Sequence, residues 1–583
     1  MPDKLSQLRE KMREKDVDYY FVPTRDDHNN EYVPACWQRR VWLTNFTGSY
    51  GEALVGHEKA YLWTDPRYYL QASQELNAKQ FTLMKQIQGV AAPISTWLAE
   101  NAHNAVVGVD PKVLSIAQHK QWEKSLASVH GELTAMSENL IDTLWKDRPS
   151  LPEKPLQILD EKYTGLSVEK KLTHVRDAMT EVGAQSLVIS QLDEIMWLFN
   201  IRGNDIPFNP LVISYAIITL DDAFLFLHLH VVAQDALSYF AKHTIELKSY
   251  DTFQQNLRSL KGTVMVDPAT VSWWVALQCS DAILIEHTSP IAMMKAIKNK
   301  TELNGIREAH RIDAIALVKF FHWLEINWKK GVTEVTAADQ LEIFRREDKR
   351  CKDLSFPTIC GFADHGAIIH FQATKATAYA ITDQNMLLID SGAQYCEGTT
   401  DTTRTIHLGN PTAQQKKHYT LVLKGHLALR HTPFPKGVCG EHVNTIARMP
   451  LWENHLDYGH GTGHGVGCYL CVHEGPQRIS YGASNIALVP GMVVSNEPGV
   501  YFENQYGIRI ENVCEIVEDD AGFLTMADFT MVPYARNLID CALLTTREIK
   551  QVNAYHEAVY TLLSKELPSD ARDWLCTATL PLK

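Results

Sequence analysis

Several short segments in the C-terminal half of the chain set acids and histidines among apolar or small residues. NMLLIDSGAQ is an apolar run that ends in Asp390, and GTTDTTRTIHL places Asp401 in a threonine-rich, β-prone stretch after the turn-forming pair Glu397 and Gly398. The two aspartates could face each other across a hairpin. MVVSNEPGVY and YGIRIENVCEIV are again apolar runs, interrupted by Glu497 and Glu511. Between them and Asp401 lies YGHGTGHGVGCYLCVHEGP, with glycine at every odd position from 459 to 467 and histidines at 460, 464 and 473. An aspartate beside glycine is more often a turn residue than a ligand, so it is the set that carries weight. Four carboxylates and one histidine make a site too acidic for a single divalent ion. Four negative charges balance two such ions, and mixed carboxylate and imidazole ligation suits Mn²⁺, Co²⁺ or Zn²⁺ rather than a thiolate zinc centre. Two ions sharing a bridging water would lower its pKa enough to supply hydroxide near neutral pH, which is hydrolytic chemistry.

The elements that must hold these groups are strands. In YGIRIENV, alternation sends Ile508 and Ile510 to one face and Arg509, Glu511 and Val513 to the other, with Arg509 and Glu511 about 7 Å apart along the strand. If the isoleucine side is core, an Arg and a Glu point into whatever the sheet covers. Glu497, followed by Pro498 and Gly499, reads as a strand end. Were the glycine run extended, its glycines would form one bare face open to close approach by another strand or a substrate. His460, Thr462, His464, Val466 and Cys468 would form the other, with His460 and His464 about 13 Å apart, too far to share one ion. A helical zinc motif is disfavoured by the density of glycines and by Gly461 in the place of the general-base Glu. A phosphate loop is disfavoured because no G-K-[ST] follows. GAIIHF reads as an apolar strand ending in His370.

At 583 residues the chain is longer than one core sustains. RPSLPEKP at 148–155 reads as a linker, and a softer boundary falls near Asn299, where Thr301 could cap a long helix through IREAHRIDAIALVKFFHWLEINW. The implied domains are 1–148, 156–298 and 299–583. The first two share the frame W-L-x-N-x-x-G, in VWLTNFTG and MWLFNIRG, with apolar strand-like runs following each, as expected for a duplicated α/β unit. A net charge of −13 with no Lys/Arg cluster argues against nucleic acid as a partner. The chain contains no apolar stretch of membrane-spanning length, and its charged N-terminus lacks the apolar core of a signal peptide. Eleven cysteines without framework spacing suit a reducing compartment, and a cytoplasmic location is expected.

The ordered set LIDSG, TTDTTRT, HGTGHGVG, VHEGP, SNEPGVY and GIRIENV resembles the metallopeptidases of the pita-bread fold. With MMKAIKNKTELNGIREAH, DLSFPTICGFADHGAIIHF, PYARNLIDCALLT and DEIMWLFNIRG added, the whole chain resembles the cytosolic three-domain Xaa-Pro aminopeptidases. The resemblance implies an α/β (α+β) protein with two related, creatinase-like N-terminal α/β domains and a C-terminal pita-bread catalytic domain. It implies two divalent ions, Mn²⁺ first with Zn²⁺ or Co²⁺ as alternatives, held by Asp390, Asp401, His464, Glu497 and Glu511. Asp401 and Glu511 would bridge, Asp390 would serve one ion, and His464 with Glu497 the other. Glu497 would accept a proton from the attacking water, and His473 would stabilise the oxyanion. His370 and His460 would line the substrate cleft and assist catalysis, with Tyr501 and Arg509 around the proline subsite. The implied substrates are peptides with proline second, and the implied assembly is a homodimer. The rivals are a prolidase with the same ligands, a metal-free amidine hydrolase with substituted ligands, and a non-catalytic binding module of this fold.

Overall fold

The computed structural model describes residues 3–86 and 93–583, and the chain forms two units, Met1–Met293 and Met294–Lys583. The first unit contains the same sheet twice. In one copy the strand order is Thr82–Lys85, Ala60–Thr64, Glu52–Gly56, Tyr19–Pro23, Val106–Val109, Glu132–Ala135. In the other it is Ile245–Ser249, Ala223–Leu227, Ser214–Thr219, Ser186–Ile189, Gly262–Val266, Ala282–Glu286. The central strand of each, Tyr19–Pro23 or Ser186–Ile189, is antiparallel to one neighbour and parallel to the other, and both outer pairs are parallel. The shared W-L-x-N-x-x-G frame has a conformational basis. Its asparagines, Asn45 (φ 61°) and Asn200 (φ 52°), both take the left-handed conformation just beyond a helix, which Asn tolerates better than most residues. Residues 149–156 carry no helix or strand. Among the described residues no helix is long and apolar enough to cross a membrane.

The second unit repeats an order of two helices followed by strands. Helices Lys300–Asn327 and Glu334–Arg346 precede the antiparallel sheet Ile359–Phe362, Met386–Ser391, Thr402–His407. Helices Ala413–His431 and Gly440–Trp452 precede the sheet ordered Glu474–Ile479, Gly463–Gly465, Val493–Asn496, Asn512–Glu518, Leu524–Asp528. Leu317, Phe320, Phe321 and Leu324, spaced for one helical face, pack with Leu387 and Ile389 of the first sheet. Each such side chain contributes about 1.5–3 kcal/mol when buried.

Five local expectations are corrected. The long helix is capped by Asn299, not Thr301: Asn299 accepts from the Thr301 and Glu302 amides while Glu302 accepts from the Asn299 amide, a reciprocal box that needs an acid three residues on. The turn before Asp401 falls at Cys396 and Glu397, with Gly398 already in a strand. YGIRIENV is not one strand, because the chain changes partners at Ile510 and Glu511. Tyr506–Arg509 pairs with Gly499–Phe502, the Glu511 amide donates to Thr403 O (3.1 Å), and Asn512–Glu518 pairs with Val493–Asn496. GAIIHF is not a strand. After Ala363, at φ 55°, the chain makes a 3₁₀ turn over Ala363–Ala367, and His370 sits in the turn that follows. Of the glycine run, only Gly463–Gly465 is strand. Upstream, Arg448 takes the carbonyls of Tyr458 and His460 (both 2.7 Å), and downstream the Gly467 amide turns back to Cys471 O (3.0 Å).

A fully buried pair braces the two helices against the first sheet. Arg345 donates through Nε and Nη2 to the two oxygens of Asp313 at 2.8 and 3.0 Å, and through Nη2 to Ser391 Oγ at 3.1 Å. Tyr395 Oη donates to the same aspartate. Asp313→Ala leaves Arg345 buried without its counter-charge and is expected to cost about 3–5 kcal/mol. Urea unfolding followed by tryptophan fluorescence should show a lower midpoint, and an unchanged midpoint would refute this brace.

Candidate metal centre

The first sheet delivers Asp390 at the end of Met386–Ser391, with the Asp390 Cα paired to Thr403, so Asp401 emerges just before the neighbouring strand starts. The second sheet delivers His464 from Gly463–Gly465, Glu497 just past Val493–Asn496, and Glu511 just before Asn512–Glu518. Close backbone packing brings these strands together. A side chain on Gly463 would meet Ser495 O at 2.0 Å, and one on Gly465 would meet Glu474 O at 2.1 Å, so the glycines in this stretch do leave the backbone bare for its neighbours.

Donor atoms of Asp401, His464 and Glu511 lie within 4.8 Å of one another. His464 Nδ1 faces Gly465 O at 2.9 Å, and a carbonyl can only accept, so Nδ1 carries the proton. Its Nε2 is then aimed at Asp401 Oδ2 (3.5 Å) and Glu497 Oε1 (3.4 Å). Glu497 Oε1 also accepts from Ser495 Oγ (3.1 Å), and Glu511 Oε2 accepts from Thr403 Oγ1 (2.6 Å). Asp390 Oδ2 accepts from Arg509 Nη2 at 2.6 Å.

His460 is engaged differently. Arg509 Nη1 donates to Tyr501 Oη (2.7 Å), which leaves the phenol proton for His460 Nε2 (2.8 Å), while His460 Nδ1 faces Gly461 O (2.7 Å). Both ring nitrogens of His460 are thus occupied, and a chain of contacts runs from His460 through Tyr501 and Arg509 to Asp390. His460 Nδ1 stands 3.9 Å from Glu497 Oε2. The His473 ring meets the His464 ring edge-on, centroids 4.4 Å apart. His370 joins through its neighbour, whose carbonyl, Ile369 O, accepts from Arg509 Nη2 (3.3 Å).

The electrostatics are those of acids crowded away from water. Burial pushes Asp390 up to about 6; Arg509 opposes the rise, and Asp401 and Glu497 add to it. Glu511 is held well above the usual carboxylate range by burial and then by Asp401, Glu497 and Asp390. His464 is raised to about 9, its burial outweighed by the hydrogen bond to Asp401 and the charges of Glu497 and Asp401. Asp390 Oδ1 and Asp401 Oδ1 are buried acceptors without a hydrogen-bond partner, a costly state that a cation relieves. Carboxylate oxygens with one imidazole nitrogen are the donors that Mn²⁺, Co²⁺ or Zn²⁺ accepts, so the residues fit a divalent pair.

Three supporting residues escaped the sequence reading. Thr403 both donates to Glu511 and accepts from Arg509 Nε (3.2 Å); strand alternation from Asp401 could have found it. Ser495, two residues before Glu497, also accepts from the His464 amide (3.0 Å). Arg404, on the opposite strand face, donates to Glu511 O (2.6 Å) and Val532 O (2.7 Å), partners far away in sequence.

The description "Metallopeptidase family M24" matches residues 304–518, with the C-terminal region of that peptidase at 522–582. The creatinase/prolidase N-terminal domain matches twice, at 4–144 and 147–302. A probable Xaa-Pro aminopeptidase P from Colletotrichum graminicola is 41% identical over 99% of both chains. The chain belongs to metallopeptidase family M24. Within the family, the crystal structure of the X-prolyl aminopeptidase of Caenorhabditis elegans, described as a cytosolic enzyme with a di-nuclear active site, superposes with a TM-score of 0.96 at 33% identity over 99% of each chain. The Xaa-Pro dipeptidase of Bacillus anthracis, at 22% identity and a TM-score of 0.52, shares the fold over 63% of this chain and 99% of its own.

In this M24 chain the raised acids set a pH dependence. A folded-state pKa above the unfolded value stabilises the fold fully below about pH 4, and that contribution is lost as pH rises through about 6. Divalent ions need the same carboxylates ionised. The melting-temperature increment on adding Mn²⁺ to chelator-treated protein should therefore grow from pH 5 to pH 7, and an increment independent of pH would contradict the arrangement.

Proposed function

We propose that this M24 peptidase is an Xaa-Pro aminopeptidase, releasing the first residue of peptides with proline in second position. The observation that carries the reading is similarity over 99% of both chains to an aminopeptidase of that name, which takes in both N-terminal domains as well as the acid cluster. Two divalent ions, Mn²⁺ being the first choice, would be held by Asp390, Asp401, His464, Glu497 and Glu511, with Asp401 and Glu511 shared, Asp390 serving one ion and His464 with Glu497 the other. When bound, such ions lower the pKa of water and polarise a carbonyl. The protein's own groups do the rest. Glu497, its Oε1 steadied by Ser495, takes the proton from the attacking water. His473 donates to the oxygen of the scissile carbonyl as negative charge develops there. His370 and His460 line the cleft, and Tyr501 and Arg509 bound the proline subsite. An X-Pro bond has no N–H to donate, so a pocket that asks for none and accepts the ring prefers proline. The three-part division at 1–148, 156–298 and 299–583, a homodimer and a cytoplasmic location belong to the same reading; the nematode relative is described as cytosolic.

A prolidase would hydrolyse X-Pro dipeptides alone, so cleavage of X-Pro-X tripeptides and longer peptides with bound divalent metal decides in favour of the aminopeptidase. Inert tripeptides after Mn²⁺ addition decide against it. His464→Ala should lose metal and activity together. His460→Ala should keep the metal, by elemental analysis, and lose about 10²-fold or more in turnover. Equal metal loss in both variants would refute the assignment of one ligand histidine.

A further inference from the structure

The segment MMKAIKNKTE plays no part in the chemistry above, yet it supplies two buried cations. Lys298 Nζ donates to Glu474 Oε1 at 2.6 Å, and Lys295 Nζ pairs with Glu474 Oε2 at 2.9 Å. The side chains are 3%, 1% and 0% exposed for Lys295, Lys298 and Glu474, a triad out of reach of water. Each carboxylate oxygen of Glu474 thus faces its own ammonium group in the interior. Such a triad is a poor stability device, because well-packed apolar residues of similar volume usually stabilise a fold as well or better. What it offers is fixed geometry.

That geometry bears on two histidines. Glu474 follows His473 directly, and its Cα pairs with Gly465, which follows His464. The strands touch through backbone, since a side chain on Gly465 would meet Glu474 O at 2.1 Å, and one on Gly467 would meet Glu474 Oε2 at 2.8 Å. Holding Glu474 therefore holds both imidazoles, whose rings stand 4.4 Å apart. The lysine segment is itself tied down: the Lys298 amide donates to Gly491 O (2.9 Å) and Ile297 bridges to Met492, just before the strand that leads to Glu497.

We propose that Lys295, Glu474 and Lys298 are positioning residues, a buried ion triad that sets the spacing of the His464 and His473 imidazoles for turnover; the catalytic part of this role rests on the aminopeptidase reading. Lys298→Met keeps Lys295 paired with Glu474 and should fold. It is expected to lower kcat on an X-Pro-X peptide about 10-fold, with KM and metal content within about twofold of wild type, and Glu474→Gln about 100-fold, the scale of a 1 Å misplacement. In crystal structures of the metal-free variants, the ring separation should move from 4.4 Å. If Glu474→Gln fails to fold, the triple change Lys295→Met, Glu474→Met, Lys298→Met supplies a packed substitute that should fold and show the same loss of kcat. Wild-type kcat and ring separation in folded Lys298→Met, with only the melting temperature lowered, would overturn the proposal. If wild-type protein leaves X-Pro peptides intact, the functional reading falls, while the ring separation still tests the anchor.

Discussion

The arrangement turns on mutual repulsion among carboxylates held away from water. Asp390, Asp401 and Glu511 are almost fully buried, Glu497 is half-buried beside them, and Arg509 pairs directly with Asp390. A fold does not bring such groups together by the gain of their own contacts. The cluster exists because two sheets, each stabilised by its own apolar face, end at the same place. Leu387 and Ile389 alternate with the side chains beside Asp390, and Val513 and Cys514 follow Glu511 into the core. The stabilising and the costly residues occupy the same strands, so the core holds the acids in place.

Around the acids, each functional group has a second residue that limits what it can do. Gly465 O keeps a proton on His464 Nδ1, so Nε2 is the nitrogen that would exchange its proton for a cation. Tyr501 and Gly461 O occupy both nitrogens of His460, so neither is open to a cation. Two histidines separated by three residues in one glycine-rich run thus have different hydrogen-bond partners. Arg404, bonded to Glu511 O and to the 532–533 segment, ties the position of one acid to the far end of the unit.

Much of this was legible in the sequence, for identifiable reasons. The strand Met386–Ser391 shows as an unbroken apolar run because both its faces are buried. The repeated sheet shows through W-L-x-N-x-x-G because a left-handed Asn is required in the same place twice. The misreadings share a cause, competition between partners for the same backbone groups. The glycine run looks extended over its whole length, but Arg448 removes its upstream carbonyls from strand pairing. YGIRIENV alternates like one strand, but Thr403 captures the Glu511 amide and breaks it. Thr301 looks like a cap until Asn299 and Glu302 are seen to satisfy each other. Contacts of Arg404 and the Lys295, Glu474, Lys298 triad join residues more than 100 positions apart, and no local pattern encodes them.

The most direct test of the central claim is elemental analysis of the purified wild-type chain together with anomalous diffraction at the absorption edge of the metal found. The account predicts two divalent ions per chain, both among Asp390, Asp401, His464, Glu497 and Glu511. A single ion, or ions held elsewhere, for example at the partly exposed group Cys439, Glu441 and His442, would contradict it.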